Sequence, residues 1–157
     1  MGGGAKLSKV SEDQAQRWSE MMPLIFRRLN ATAGEAASRL DLSMSQAEVL
    51  TYLSDNGETT MGELSDYVCV SLSAMTGVVD RLVQKGAVSR DRDEADRRVV
   101  KVTLTQEGKR LAAEVAQVKK VQAVAVLGAL GESDRKQLLG IMAELAENLS
   151  SKRPSNG

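Results

Sequence analysis

The 157-residue sequence predicts a mainly α fold with one small β-hairpin, an α+β class, and three observations predict it. Apolar residues recur at helical spacing through most of the chain. Between Ser71 and Thr105 a short amphipathic stretch, a Gly turn and two β-rich runs follow one another. Those two runs flank Asp91–Arg98, DRDEADRR, which is too polar to pack. A helix that can enter a groove, followed by a hairpin that can lie along a duplex, is the core of a winged helix-turn-helix. The expected organisation places that DNA-binding unit at residues 41–105. Residues 10–40 and 106–149 form a helical dimerisation region, 1–9 a disordered arm and 150–157 a frayed tail.

Residues 10–40 are rich in Ala, Glu, Gln, Arg, Leu and Met, and Trp18, Met22, Ile25, Phe26 and Leu29 mark a buried stripe. Pro23 removes a backbone donor and crowds the preceding turn, so a break or bend is expected near Met21–Met22. Ser43 or Ser45 caps a helix to about Ser54, with Ala47, Val49, Leu50 and Leu53 inward. Asp55-Asn56-Gly57 ends it. Thr60 with Glu63 forms a capping box for a third helix, whose Met61, Leu64 and Val68 face the core.

Val70-Ser71 is a tight turn, and Ser71 caps the next helix, which runs to Lys85. Its apolar Met75, Val78, Val79 and Leu82 fall on one stripe. The other face carries Ser73, Ala74, Thr76, Gly77, Asp80, Arg81 and Gln84. Its N-terminal half is small and neutral, so it can approach a surface closely, and short hydroxyls can bond base edges or phosphates. Ala87–Arg90 and Val99–Leu104 are the two strands. A carboxylate beside an arginine at the tip between them can hold the guanidinium in one rotamer, which suits a narrow minor groove. Thr105 caps a helix to about Leu127, with Leu111, Val115, Val118 and Val121 on one face. Gly128 and Gly131 break it, and Ser133 caps a last helix with Leu138, Met142, Leu145 and Leu149 as a coiled-coil-like seam. These helices exceed what one winged domain needs as cover, so a two-fold homodimer is expected, with an intramolecular cover by residues 133–149 as the alternative.

Composition closes off much chemistry. One cysteine and no histidine leave no intrachain disulfide, no Cys/His zinc site and no His-based triad. With no nucleophile–base pair and no metal constellation, the expectation is a non-enzyme without cofactor or metal. The sequence has no apolar run of about 18 residues and no secretory h-region, so the expectation is a cytoplasmic protein with no membrane span. Net charge is formally zero, but it is unevenly spread: residues 41–70 carry six acidic groups and no basic one, whereas 71–110 carry nine Lys/Arg against six Asp/Glu. A phosphate partner is therefore expected on the second stretch.

The chain resembles the MarR family of bacterial transcription regulators over about residues 12–149. The wing carries the most specific part of the likeness. There Asp96-Arg97-Arg98 followed by Leu104-Thr105-Gln106-Glu107-Gly108 looks like the family's D-x-R and LT-x-x-G pattern. Leu64-Ser65-Asp66, Val70-Ser71, Thr76, Val79-Asp80-Arg81-Leu82 and Lys85-Gly86 match the preceding helix-turn-helix in order and spacing. The resemblance implies a triangular dimer built by the terminal helices, with Ser71–Lys85 in the major groove of a pseudo-palindromic operator in double-stranded DNA. It implies base-facing positions for Leu72, Ser73, Ala74, Thr76 and Gly77. Arg98 matches the wing arginine that enters the minor groove, and Asp96 the carboxylate that orients it. Arg81, Arg90 and Arg97 are phosphate-contact candidates. The family further implies a repressor released by a small phenolic or anionic effector seated between dimer helices and DNA-binding lobe, where Trp18, Met22 and Phe26 would line the cleft.

Two departures matter. Gly77 stands where relatives often carry a larger side chain, commonly arginine, and Cys69 stands in the turn where a small residue such as Gly is common. An alternative is a ligand-binding or protein-interaction module that keeps the winged fold without reading DNA, motivated by the zero net charge and the acidic 41–70 stretch. A redox sensor acting through Cys69 ranks behind both, because a lone thiol at a helix end is first of all packing.

Overall fold

The computed structural model describes residues 9–92, 96 and 99–150. The elements run α1 (Glu12–Leu40), α2 (Met44–Asn56), β1 (Thr59–Thr60), α3 (Met61–Val68), α4 (Leu72–Gln84), β2 (Val88–Arg92), β3 (Val100–Leu104), α5 (Gln106–Gly128) and α6 (Glu132–Ser150). The expected hairpin is present, with Arg92 opposite Val100 and Val88 opposite Leu104. A third strand joins it: β1 pairs antiparallel with β3, giving the order β1-β3-β2. Two residues are too few for an alternating pattern, so this strand left no trace in the sequence.

The core sits within the winged unit. Val49, Leu50 and Leu53 of α2 meet Leu64 of α3, Met75, Val79 and Leu82 of α4, and Val88 and Val102 of the sheet. Leu111 and Ala112 of α5 close the cluster. The expected inward residues hold except Ala47, which is half-buried outside the cluster, with Met61, Val68 and Val78 packed half-buried against it. Local chemistry sets the boundaries. Ser43, rather than Ser45, caps α2 in a full capping box with Gln46, and Gly57, at φ 76° and ψ −143°, ends that helix in a conformation that favours glycine.

Gly108 explains why the LT-x-x-G run needs its glycine. A Cβ there would lie 1.9 Å from the Ala87 carbonyl oxygen and 3.0 Å from Leu104 Cδ2. The close approach lets Thr105 join the sheet to α5. Its N–H donates to the Ala87 carbonyl at 3.0 Å. Its hydroxyl donates to the Gly86 carbonyl at 2.6 Å and accepts the Gly108 N–H at 3.1 Å.

Three expectations are corrected. First, of the break or bend expected near Met21–Met22, the break is absent: α1 runs through Pro23 as one helix. The lost bond strands only the Ser19 carbonyl, on an exposed turn where water can take it, and helix on both sides carries the segment through. Second, Ser133 does not cap α6. The helix starts at Glu132, and the Gly131 carbonyl accepts the Arg135 N–H, so Ser133 lies in the first turn beside Glu132 and Asp134. Those two carboxylates suit the positive end of the helix. Arg135 then reaches back, its Nε donating to the Leu127 and Leu130 carbonyls at the end of α5.

Third, the terminal stripes are not core of a single chain. Trp18 is 56% exposed, Phe26 55%, Met142 56% and Leu149 65%. Ile25, Val121 and Leu145 are exposed with them, whereas Met22, Leu29, Val118 and Leu138 are half-buried. Helical periodicity reports that a face is apolar, not which molecule covers it. No helix among the described residues is long and apolar enough to cross a membrane.

Candidate nucleic-acid interface

The site begins at α3. The Thr60 hydroxyl accepts the Glu63 N–H at 3.2 Å, and the Glu63 carboxylate accepts the Thr60 N–H at 2.8 Å. That backbone donor, followed by the hydroxyls of Thr59 and Thr60, holds the Glu63 carboxyl below its ordinary range. At the other end, Cys69 takes a left-handed conformation with φ 59° and ψ 43°, and Val70 N–H closes onto the Ser65 carbonyl at 3.1 Å. Glycine is the easy residue for that conformation; here a cysteine adopts it, with its thiol exposed.

The turn sets the start of α4. Ser71 caps it, its hydroxyl accepting the Ala74 N–H at 3.2 Å. Met75, Val79 and Leu82 are fully buried, which fixes the opposite face outward. Leu72, Ser73, Ala74, Thr76 and Gly77 are all exposed there. At 100° per residue they do not point one way. Leu72 and Thr76 line a groove of about 430 Å³ with Thr60 of β1, Met61 and Gly62 of α3 and Val99 and Val100 at the wing base. Arg81 lies on the other flank, in a groove of about 610 Å³ with Gln84, Lys85 and the start of α2. Ser73 and Gly77 lie between the flanks. The Thr76 hydroxyl donates to the Leu72 carbonyl at 2.9 Å, so its oxygen remains an acceptor toward a ligand amino group. Nothing lies within 4 Å of a Cβ built at Gly77, so packing within this chain does not require a glycine there.

Wing and helix are tied by a pair the sequence analysis did not pick out. Arg90 Nη2 of β2 lies 2.6 Å from Asp80 Oδ1 of α4. Arg90 was a phosphate candidate; its guanidinium is aimed by a carboxylate of the recognition-type helix. Arg92, two residues on and on the same strand face, is exposed and was also missed. Its strand was expected to end at Arg90, and pairing with Val100 carries it further. Ser89 and Thr103 stiffen the hairpin through hydroxyls 2.7 Å apart. At the tip, Asp96 is exposed and its carbonyl accepts the Val99 N–H at 2.9 Å. Arg97 and Arg98 lie outside the described residues.

The expected effector residues stand apart from this surface. Trp18 and Phe26 are exposed along α1, with Met22 half-buried between them. Among the described residues no group of three or more His, Cys, Asp and Glu side chains could hold a metal ion.

Comparison with known proteins gives this geometry its context. The MarR family model matches residues 42–100, from the start of α2 into β3. The HTH-type transcriptional regulator YfiV of Bacillus subtilis is 33% identical over 104 residues, 65% of this chain and 63% of YfiV, just under two thirds of its length. The HTH-type transcriptional repressor MdtR of the same organism is 30% identical over 123 residues, covering 78% of this chain and 79% of MdtR. Among solved structures, FabT of Streptococcus pneumoniae in complex with DNA superposes with a TM-score of 0.74 at 22% identity, over 88% of this chain and 99% of FabT. The winged helix-turn-helix is thus matched in sequence and the flanking helices in fold, and the chain belongs to the MarR family.

Proposed function

We propose that this protein is a sequence-specific regulator of transcription that binds double-stranded DNA as a homodimer, with one winged helix-turn-helix per subunit. The observation that carries the proposal is the Asp80–Arg90 pair, because it ties α4 to the wing so that both can meet one duplex. In the proposed complex α4 enters the major groove. Leu72, Ser73, Ala74, Thr76 and Gly77 face bases, and Arg81, Arg90 and Arg97 meet phosphates. Arg98 enters the minor groove, oriented by Asp96.

The exposed apolar faces of α1, α5 and α6 support the homodimer. Trp18, Ile25 and Phe26 on α1 and Met142, Leu145 and Leu149 on α6 leave much apolar surface in water in a single chain. A second copy removes it. In this reading residues 10–40 and 106–149 carry dimerisation and 41–105 meet DNA, with the first turns of α5 also closing the lobe core through Leu111 and Ala112. Two recognition helices on a two-fold axis read half-sites about 34–36 Å apart, so the operator is pseudo-palindromic.

The proposed sign is repression, relieved by a small phenolic or anionic effector. MdtR is a repressor, which supports this sign. Trp18, Met22 and Phe26 offer aromatic and thioether surface for such a ligand where the dimer helices approach the lobe. Release follows when the ligand favours a lobe spacing that no longer matches the groove. Selection of bound sequences from random duplexes tests the proposal. The expected product is an inverted repeat with half-site centres about ten base pairs apart. A pool with no enriched sequence overturns sequence-specific binding and favours a protein-interaction module.

A further inference from the structure

A polar cluster links α5 to the DNA-binding lobe outside the surface described above. Lys119 Nζ lies 3.0 Å from Glu48 Oε1 and donates to Thr51 Oγ1 at 3.1 Å, both on α2. The second carboxylate oxygen of Glu48 is 3.5 Å from the Tyr67 hydroxyl on α3. Tyr67 packs on Tyr52 with ring centroids 4.5 Å apart and planes tilted by 46°. Desolvation, and then the Glu48 charge, raise the Tyr67 phenol, so it stays a neutral donor toward the carboxylate.

Position gives the cluster its interest. The last buried residue of α5 is Val115, and Lys119 stands one turn beyond it on the same face. Toward the C-terminus, Val121 and Val124 are exposed. The cluster therefore sits where α5 leaves the lobe. On the other side, Tyr67 is in the last turn of α3, two residues before the left-handed Cys69 that aims α4. One ammonium on α5 is thus connected through α2 and α3 to the turn that sets the recognition-type helix.

We infer that the Lys119–Glu48 bridge, with Thr51 and Tyr67, is a latch that fixes the angle of the lobe on α5 and so the spacing of the two α4 helices in the dimer. This rests on the dimeric DNA-binding assignment. Any change of that angle moves α4 in both subunits, so two-fold symmetry doubles its effect on their spacing. Lys119 and Glu48 are positioning residues, acting on DNA through the lobe and touching none of it. Their side chains are 42% and 28% exposed, so the bridge biases an angle without locking the core.

The native cysteine supplies the probe. Cys69 is the chain's one cysteine, exposed at the turn before α4, so a nitroxide on it reports the distance between lobes in the full-length dimer. Pulsed electron spin resonance is measured for the unsubstituted chain, Glu48→Gln, Lys119→Met and the swap Glu48→Lys/Lys119→Glu. In parallel, affinity is measured on duplexes with the half-site spacing changed by one base pair either way. The expected result is one narrow distance for the unsubstituted chain and a broadened or shifted distance for both single variants. The single variants also lose their spacing preference, and the swap recovers the narrow distance. Unchanged distances in both single variants overturn the latch, whatever the DNA result. A chain that binds no duplex at any spacing but shows the distance changes overturns the DNA assignment and leaves the latch standing. A monomer, with no intersubunit distance, overturns both.

Discussion

Asp80 on α4 and Arg90 on β2 form a 2.6 Å ion pair that couples the recognition-type helix to the wing. Their side chains are 44% and 33% exposed, so water screens much of the attraction. Asp80→Asn is expected to lower stability by no more than about 1 kcal/mol. Its effect on duplex affinity should be larger, a loss of roughly three- to tenfold, because Arg90 loses the partner that aims it. Thermal unfolding and fluorescence anisotropy on the same samples separate the two. Equal affinity for variant and parent removes the pair from the DNA-contact geometry.

Gly77 separates stability from recognition. Open space surrounds its position, so Gly77→Ala should stabilise α4 by about 0.5–1 kcal/mol. If the glycine serves close approach to bases, the same methyl should weaken binding or change the selected sequence. Urea unfolding and repeated sequence selection check the two halves. A more stable variant with unchanged affinity and sequence preference leaves Gly77 outside the contact face.

Gly108→Ala should act in the opposite sense. Its methyl meets the Ala87 carbonyl, a backbone atom that cannot swing aside, and the sheet–α5 junction must shift. The expected destabilisation is about 1–3 kcal/mol, read from the urea midpoint. A midpoint equal to the parent's contradicts the tight junction.

The Glu63 capping box carries a pH signature. Its carboxyl is held below the usual 4.5, chiefly by the Thr60 N–H, so its contribution is present above 4.5 and fades as pH falls through the lowered value. Glu63→Gln keeps a cap acceptor and removes the titration. The variant should therefore lose less stability than the parent on acidification below 4.5, as measured by unfolding at several pH values. Parallel curves for the two proteins discount the cap as a titrating element.

Much of the winged unit was legible because short-range chemistry defines it. The Thr60–Glu63 box, the Ser71 cap and the stripe Met75, Val79, Leu82 each lie within a few residues. What escaped the sequence depends on distant partners. The strand Thr59–Thr60 exists only because β3 lies beside it. Asp80 and Arg90 meet only after the hairpin folds back, and Lys119 finds Glu48 across 71 residues. Pro23 was overvalued as a breaker, since one missing bond on an exposed turn does not stop a 29-residue helix. Gly131 was undervalued, since it rather than Ser133 supplies the first carbonyl acceptor of α6. The Trp18–Phe26 stripe was rightly read as apolar, but a single chain does not bury it. A single sequence carries the first property, while the second belongs to the assembly.

The central claim is a two-fold reader of duplex DNA, and the salt dependence of its affinity tests that claim most directly. Affinity for the selected inverted repeat is measured against salt for the parent and Arg98→Ala, with a duplex carrying one scrambled half-site as control. The expected result is a steep fall of log affinity with log salt, a shallower slope for Arg98→Ala as phosphate and groove contacts are lost, and marked weakening on the half-site control. Weak, salt-insensitive binding, indifferent to Arg98 and to the second half-site, contradicts it.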